Sequence, residues 1–383
     1  MDNKRSSLQR YAAVCILLIL QCICLSPAAL SDKAPDLPVK SAILMNAQTE
    51  EILYSKNPKH IQAPASLVKI MTLYLVFDAI DSGQISLHQQ YRVSKAVSNI
   101  GGSQVFLKEG EKITVHELIL STAISSANDA ASALAEIVGA SREAFVKMMN
   151  QKAVELGLVD TVFRSANGLP KKNPDQTTAA DIAKLAFITI HKHPEILKYT
   201  TQRISHIRNN SFQLVNTNKL AGKYRGLNGL KTGFTQAAGY CLVATATRED
   251  ISLISVVLGA NTRKERFQHT ATLLDYGFQQ FKTVHIEAKN KVLFIPVPNG
   301  KKQWIYGICK NDLDFTVNKD EEALLELETY IPNSVQAPIH KGQKVAEFCA
   351  TLNGQVLFST DVLAREDLNQ AGVFRRFFRR FSR

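Results

Sequence analysis

Several catalytic signatures are missing from this 383-residue chain. No Gly-x-Ser-x-Gly turn occurs, so the exposed serine elbow that serves a Ser–His–Asp triad has no support. His116-Glu117 starts like a zinc-protease helix, but Leu120 stands where the second histidine is required. His191-Lys192-His193 offers two imidazoles, and two ligands do not make a metal site. Nothing in the pattern calls for a metal or a cofactor. No internal repeat is visible. The longest apolar run, residues 11–25, is short for a membrane span and is interrupted by Gln21.

That run reads instead as part of a secretory signal over residues 1–31. Lys4, Arg5 and Arg10 precede it, and Ala29-Leu30-Ser31 would suit a signal peptidase. Without that segment only Cys241, Cys309 and Cys349 remain, an odd number. An exported location permits a Cys309–Cys349 bridge, although buried free cysteines are common. The net charge of +12 is concentrated at the ends: residues 1–31 carry +2 and residues 374–383 carry +5. The body is therefore only mildly basic, which does not suggest a nucleic-acid-binding protein.

Residues 41–54 have the pattern of a hairpin. Pro64 and Ser66 then open a helix over 66–80 that is apolar on every side, as a buried central helix must be. Helical periodicity returns at 115–123, 129–138, 142–156, 178–190 and 263–281, and strands are predicted at 240–247 and 251–259. Helices between an early hairpin and late strands imply an α+β domain, an antiparallel sheet covered by helices, over 36–281. Residues 283–360 change to short β-like runs, with Asn353-Gly354 as a two-residue hairpin turn, and form a small all-β domain. A C-terminal amphipathic helix is predicted over 365–383. Phe374, Phe377, Phe378 and Phe381 share one face of it, and Arg375, Arg376, Arg379, Arg380 and Arg383 take the other side. Such a helix lies on an anionic membrane surface.

Three short motifs carry the chemistry: Ser66-Leu67-Val68-Lys69, Ser126-Ala127-Asn128 and Lys231-Thr232-Gly233. Three residues apart on a helix, Ser66 and Lys69 share a face, so the amine reaches the hydroxyl. A serine needs a nearby base, and burial can make a lysine one. The Ser66 N–H, at a helix start, is a candidate oxyanion donor. Ser126 is placed to pass a proton to a leaving nitrogen, and Asn128 to bind Lys69 or a substrate carbonyl. Lys231 and Thr232 suit a substrate carboxylate, and Gly233 permits close backbone approach. A second Ser-x-Asn, Ser165-Ala166-Asn167, opens no helix and reads as a turn. Taken singly, each motif is weak and is more readily read as a cap or a surface turn. The three in this order in one exported chain point to serine acyl transfer.

Pro64-Ala65-Ser66-Leu67-Val68-Lys69-Ile70-Met71-Thr72, Ser125-Ser126-Ala127-Asn128-Asp129-Ala130 and Gly229-Leu230-Lys231-Thr232-Gly233-Phe234-Thr235 together resemble the low-molecular-mass penicillin-binding proteins of the D-alanyl-D-alanine carboxypeptidase type. The resemblance runs from about Pro38 to the C-terminus. It implies a penicillin-binding/β-lactamase-like catalytic domain acting on peptidoglycan stem peptides and acylated by β-lactam antibiotics. It also implies that Ser66 is the nucleophile and Lys69 its base. Ser126 would relay a proton, Lys231 would hold the terminal carboxylate, and the Ser66 and Phe234 N–H groups would form the oxyanion hole. The implied location is the periplasmic face of the cytoplasmic membrane, with the enzyme peripheral. Relatives often have glycine where this chain has Ala127, and histidine where it has Phe234. A β-lactamase is disfavoured because no Glu-x-x-Leu-Asn segment is present. A crosslink-cutting endopeptidase is a near variant, and a non-catalytic wall-binding module is opposed by the complete set of key side chains.

Overall fold

The computed structural model describes residues 34–169, 172–331 and 335–372. The signal segment expected over 1–31 and the residues 374–383 lie outside these ranges. The first strands are β1 (Ser41–Asn46) and β2 (Ile52–Lys56), followed by the short pair β3 (Gln90–Arg92) and β4 (Lys112–Thr114). A second small hairpin joins β5 (Ile204–Ile207) to β6 (Phe212–Val215), and β7 (Leu227–Thr235), β8 (Gly239–Arg248) and β9 (Ile251–Ala260) follow. Five of these form one antiparallel sheet in the order β2-β1-β9-β8-β7. The predicted hairpin 41–54 thus supplies one side of the sheet, and the late strands supply the other.

The sheet is buried on both faces, and the period of two along β1 shows why. Ala42 and Leu44 join the core beneath helix Arg263–Gln280, with Leu273, Leu274 and Phe278. Ile43 and Met45 point into the larger helical core on the opposite face. All six residues of β1 are buried, as an apolar run without alternation requires.

The helices on that second face are α1 (Lys69–Asp81), α2 (Lys95–Ser98), α3 (Val115–Ile124), α4 (Asn128–Gly139), α5 (Arg142–Glu155), α6 (Ala179–Lys192) and α7 (Ile196–Thr200); α8 (Arg263–Gln280) covers the other. Their starts follow their caps. Thr114 and Thr262 form capping boxes with Glu117 and Glu265, and Ser141 and Thr178 accept from the N–H three residues on. Helix α1 buries Ile70, Met71, Leu73, Leu75, Val76 and Phe77 on all sides. Its first turn departs from expectation, because Ala65–Val68 is a 3-10 turn and the α-helix begins only at Lys69. Ala65 has φ +50, which bars a regular helical entry.

After α8 the chain becomes all β. Strands β10 (Phe281–Ile286) and β13 (Leu313–Asn318) pair with each other. Strands β11 (Val292–Pro296), β12 (Trp304–Cys309), β14 (Leu325–Tyr330), β15 (Lys344–Leu352) and β16 (Gln355–Ala364) make a five-stranded sheet, order β11-β12-β16-β15-β14. Ile295, Ile305, Phe315, Phe348 and Val362 form its core. Asn46 Nδ2 donates to Thr283 Oγ1 at 2.9 Å and to Thr316 Oγ1 at 2.7 Å, which ties this part to β1. Cys309 and Cys349 are both buried and free, so the bridge that an exported location permits is not made.

The amphipathic helix predicted over 365–383 does not start at 365. Residues 365–372 are irregular, with a bridge between Leu368 and Ile339 and another between Gln370 and Gly300. Leu368 and Ala371 are buried, so this stretch packs onto the β core instead of presenting two faces to solvent. The aromatic and arginine pattern itself falls in 374–383, outside the described residues.

Candidate active site

The three motifs converge. Lys69, fully buried at the start of α1, places Nζ 2.9 Å from Ser66 Oγ. The 3-10 turn brings the two residues onto one edge, since side chains at i and i+3 eclipse in that geometry. Ser66 stays partly exposed while its partner is sealed beneath it. Lys69 Nζ also reaches Asn128 Oδ1 at 2.8 Å and the Asn167 carbonyl at 2.6 Å. Burial first, and the nearby Lys231 cation second, push the Lys69 amine well below its usual range; Asp175 and Asp129 oppose them. A lysine depressed in this way is neutral often enough to take the serine proton.

Asn128 is fixed from its other end, where Nδ2 donates to the Gly101 carbonyl at 2.9 Å. Its N–H donates to the Ser103 carbonyl at 2.7 Å, and the next residue, Asp129, accepts from the Val105 and Leu107 N–H groups. Ser126 is not the cap of α4, because Ala127 occupies that position and Ser126 has φ +59. Its Oγ is buried and has no hydrogen-bond partner among the described residues. A buried hydroxyl without a partner costs stability, and in this place it is available to a reacting group.

Lys231-Thr232-Gly233 lies on β7, at the edge of the sheet, not in a turn before the strands. Lys231 is buried and, among the described residues, finds only the Thr232 carbonyl, at 3.1 Å. Burial and then the Arg266 cation lower it to about 7. An anion beside it would restore its charge, so the site is electrostatically prepared for a carboxylate. Thr232 Oγ1 donates to Thr217 Oγ1 at 2.7 Å. The reason for Gly233 is different from the one its sequence context suggests. A Cβ there would meet the Pro64 carbonyl oxygen at 2.9 Å and Ser66 N at 3.3 Å. The glycine lets β7 pack against the nucleophile's own turn. Phe234 is half exposed and stacks on Tyr240 with ring centroids 4.2 Å apart.

Three contributors escaped the sequence reading. Asn167, in the second Ser-x-Asn, gives its main-chain oxygen to Lys69, and the preceding Ala166 carbonyl accepts from Thr72 Oγ1 at 2.6 Å. That segment is a turn, as predicted, but it is built against the nucleophile. Ser165 Oγ donates to Asp175 Oδ2 at 2.8 Å and accepts from the Gly168 N–H at 2.8 Å, which pins the turn in place. Thr217 comes from the loop after β6. Arg266, on α8, donates to the Gly233 carbonyl at 3.2 Å from beneath the sheet. A main-chain acceptor leaves no mark in sequence, and Arg266 looked like an ordinary base on an amphipathic helix.

A serine touched by a buried, depressed lysine at the mouth of a central helix, beside an edge strand holding a second buried lysine, defines a serine acyl-transfer enzyme of the penicillin-binding fold. The D-alanyl-D-alanine carboxypeptidase family profile matches residues 28–262, and that of the penicillin-binding protein 5 C-terminal domain matches 281–370. Over 338 residues the chain is 38% identical to the D-alanyl-D-alanine carboxypeptidase DacF of Bacillus subtilis, covering 87% of this chain and 86% of that protein. Penicillin-binding protein 5 from Haemophilus influenzae superposes with a TM-score of 0.79 at 29% identity, over 88% of this chain and 99% of the other. Penicillin-binding protein D2 from Listeria monocytogenes, solved in an ampicillin-bound form, superposes with a TM-score of 0.60 at 32% identity, over 64% of this chain and 99% of the other. The chain belongs to the D-alanyl-D-alanine carboxypeptidase family and is a serine-type carboxypeptidase.

Proposed function

We propose that this enzyme removes the terminal D-alanine of peptidoglycan stem pentapeptides through an acyl-enzyme on Ser66. The observation that carries the assignment is the 2.9 Å contact between Ser66 Oγ and the buried Lys69 amine. Neutral Lys69 takes the hydroxyl proton as Oγ bonds to the penultimate carbonyl carbon. The N–H groups of Ser66 and Phe234 stabilise the oxyanion. As the C–N bond breaks, the proton passes from Lys69 through the Ser126 hydroxyl to the departing D-alanine nitrogen. Asn128 holds Lys69 in line, and Lys231 with Thr232 binds the terminal carboxylate. Water then attacks the ester as Lys69 takes its proton, and Lys69 returns that proton to Ser66 Oγ as the C–O bond breaks and the stem tetrapeptide leaves. A β-lactam follows the first half of this path. Its ring amide takes the place of the D-alanyl-D-alanine bond, and the ampicillin-bound Listeria relative supports that reading.

The carboxylate assignment has a direct test. Lys231→Ala is expected to lower kcat/KM for a pentapeptide on the order of a hundredfold, the scale for truncating one member of a buried charge pair. A C-terminally amidated pentapeptide should be a poor substrate for the wild type and should lose little more in the variant. Equal losses on both peptides would remove Lys231 from that role.

The pH profile tests the base. The active form of Lys69 is the neutral amine, and its pKa lies well below the usual 10.5. Below that pKa, kcat/KM should climb about tenfold per pH unit, and because Lys231, at about 7, must be charged to hold the carboxylate, the profile should bend over and fall before an ordinary lysine would titrate. An acid limb still rising at pH 10 would contradict a depressed Lys69.

We further propose that the enzyme is exported and works at the outer surface of the cytoplasmic membrane. Residues 1–31 have the pattern of a signal, and 374–383 alternate phenylalanines and arginines at helical spacing. Among the described residues no helix is long and apolar enough to cross a membrane. A peripheral attachment through that terminal segment accords with the sequence pattern.

A further inference from the structure

A second polar cluster lies at the opposite end of α1 from Lys69, about 18 Å away along the helix. Its centre is His193, the residue that ends α6. Its imidazole is fully buried between Tyr74 and Phe77, with ring centroids at 5.0 Å and 5.9 Å. Nε2 lies 2.9 Å from Asp78 Oδ1. The same carboxylate oxygen takes Lys192 Nζ at 2.5 Å, and Lys152 Nζ lies 3.9 Å from the other oxygen. A carboxylate engaged by ammonium groups acts as an acceptor, so Nε2 carries the ring proton.

In a neutral ring that leaves a lone pair on Nδ1, and Nδ1 faces two more carboxylates. Asp81 Oδ2 is 3.1 Å away and Glu195 Oε1 is 3.5 Å away. The distances are short, but Nδ1 makes no hydrogen bond of acceptable geometry among the described residues. A lone pair against two anionic oxygens is repulsive unless a positive charge lies between them. The spacing fits a metal ion. Tetrahedral bonds of about 2.0–2.1 Å put neighbouring ligand atoms about 3.3 Å apart, between the two separations observed. The three ligand atoms all lie within 4.8 Å of one another.

We propose that Asp81, His193 and Glu195 bind a divalent transition-metal ion. One imidazole and two carboxylates favour zinc over calcium or magnesium, which prefer all-oxygen shells. Asp78 serves behind the ligand, orienting His193 through Nε2 as carboxylates do for metal-bound histidines. Asp81 is exposed, so the fourth position opens to solvent. The ion is structural, because it joins the end of α1 to the end of α6 and the residue preceding α7, far from Ser66. The sequence showed two nearby histidines and no third ligand; the fold supplies the two acids and excludes His191, whose Nδ1 lies 2.9 Å from the Phe187 carbonyl.

The test uses protein stripped with a chelator and dialysed, then titrated with zinc chloride by calorimetry and followed by thermal melting. One saturable site per chain is expected, with a melting midpoint about 4 °C higher at a hundredfold excess over Kd. Magnesium and calcium should give neither signal. The double variant Asp81→Asn/Glu195→Gln, which changes only partly exposed side chains, should bind zinc at least about tenfold more weakly while releasing D-alanine at the wild-type rate. Absence of a saturable site in the wild type, or unchanged affinity in the double variant, overturns the proposal. So does a nitrogen-15 spectrum showing both His193 ring nitrogens protonated in excess zinc, because a proton would then hold the place assigned to the metal.

Discussion

Ser66→Ala is expected to lower D-alanine release from a stem pentapeptide at least about ten-thousandfold, the scale seen when a serine nucleophile is removed. The size of the loss follows from how the base is committed. Lys69 Nζ has three polar neighbours among the described residues, and Ser66 Oγ is the only hydroxyl among them. The other two are an amide oxygen and a main-chain carbonyl, neither of which can be acylated in its place. Ser66 is partly exposed and its Oγ contacts only Lys69 among the described residues, so the melting midpoint should stay close to the wild type. Mass spectrometry after exposure to penicillin should show an adduct on the wild type and none on the variant. A persistent adduct would falsify the assignment of the nucleophile.

Gly168→Ala is expected to be nearly as damaging, through structure instead of chemistry. Gly168 has φ +77, and a Cβ on it would lie 2.0 Å from the Ala65 carbonyl oxygen, 2.4 Å from the Ala65 carbonyl carbon and 3.0 Å from Ser66 N. All three are backbone atoms of the turn that presents the nucleophile, so no side chain can swing aside. The expected cost is about 4 kcal/mol or more, with activity falling even where the protein remains folded, because the turn must shift. Gly83→Ala separates the two causes. Gly83 has φ +74 but nothing within 4 Å of its Cβ position, so it should cost only about 1 kcal/mol. Urea denaturation of both variants measures the difference, and similar losses would mean that the close approach at Gly168 is unimportant.

Much of this architecture could be read from the chain itself. The burial of α1 was visible because its apolar residues leave no polar face, and helical periodicity located the segments that the structure caps with Ser141, Thr178 and Thr262. The nucleophile and base were legible for a local reason too, two residues three apart on one helical edge. The strand character of Lys231-Thr232-Gly233 was not, since a lysine, a threonine and a glycine in sequence look like a turn. Only pairing with β8 makes them strand. The Asn167 segment opens no helix, and that local criterion says nothing about where a carbonyl points after the chain folds. Arg266, Thr217 and Gly101 are long-range neighbours that no spacing rule connects to Ser66. The predicted helix over 365–383 failed at its beginning for a related reason. The amphipathic spacing holds from 374, whereas Leu368 belongs to the β core and Ala371 is buried.

The polar cradle around Lys69 has one further consequence. Its three acceptors, at 2.9, 2.8 and 2.6 Å, match the three hydrogens of an ammonium, while burial favours the uncharged amine. The two tendencies oppose each other at one nitrogen. When the proton arrives from Ser66, its acceptors are already in position and no solvent has to rotate to receive the charge. The reorganisation energy of the transfer is therefore small in both directions. A residue that gains and loses a proton twice in each turnover, once to form the ester and once to hydrolyse it, is served by surroundings that need not move for either state.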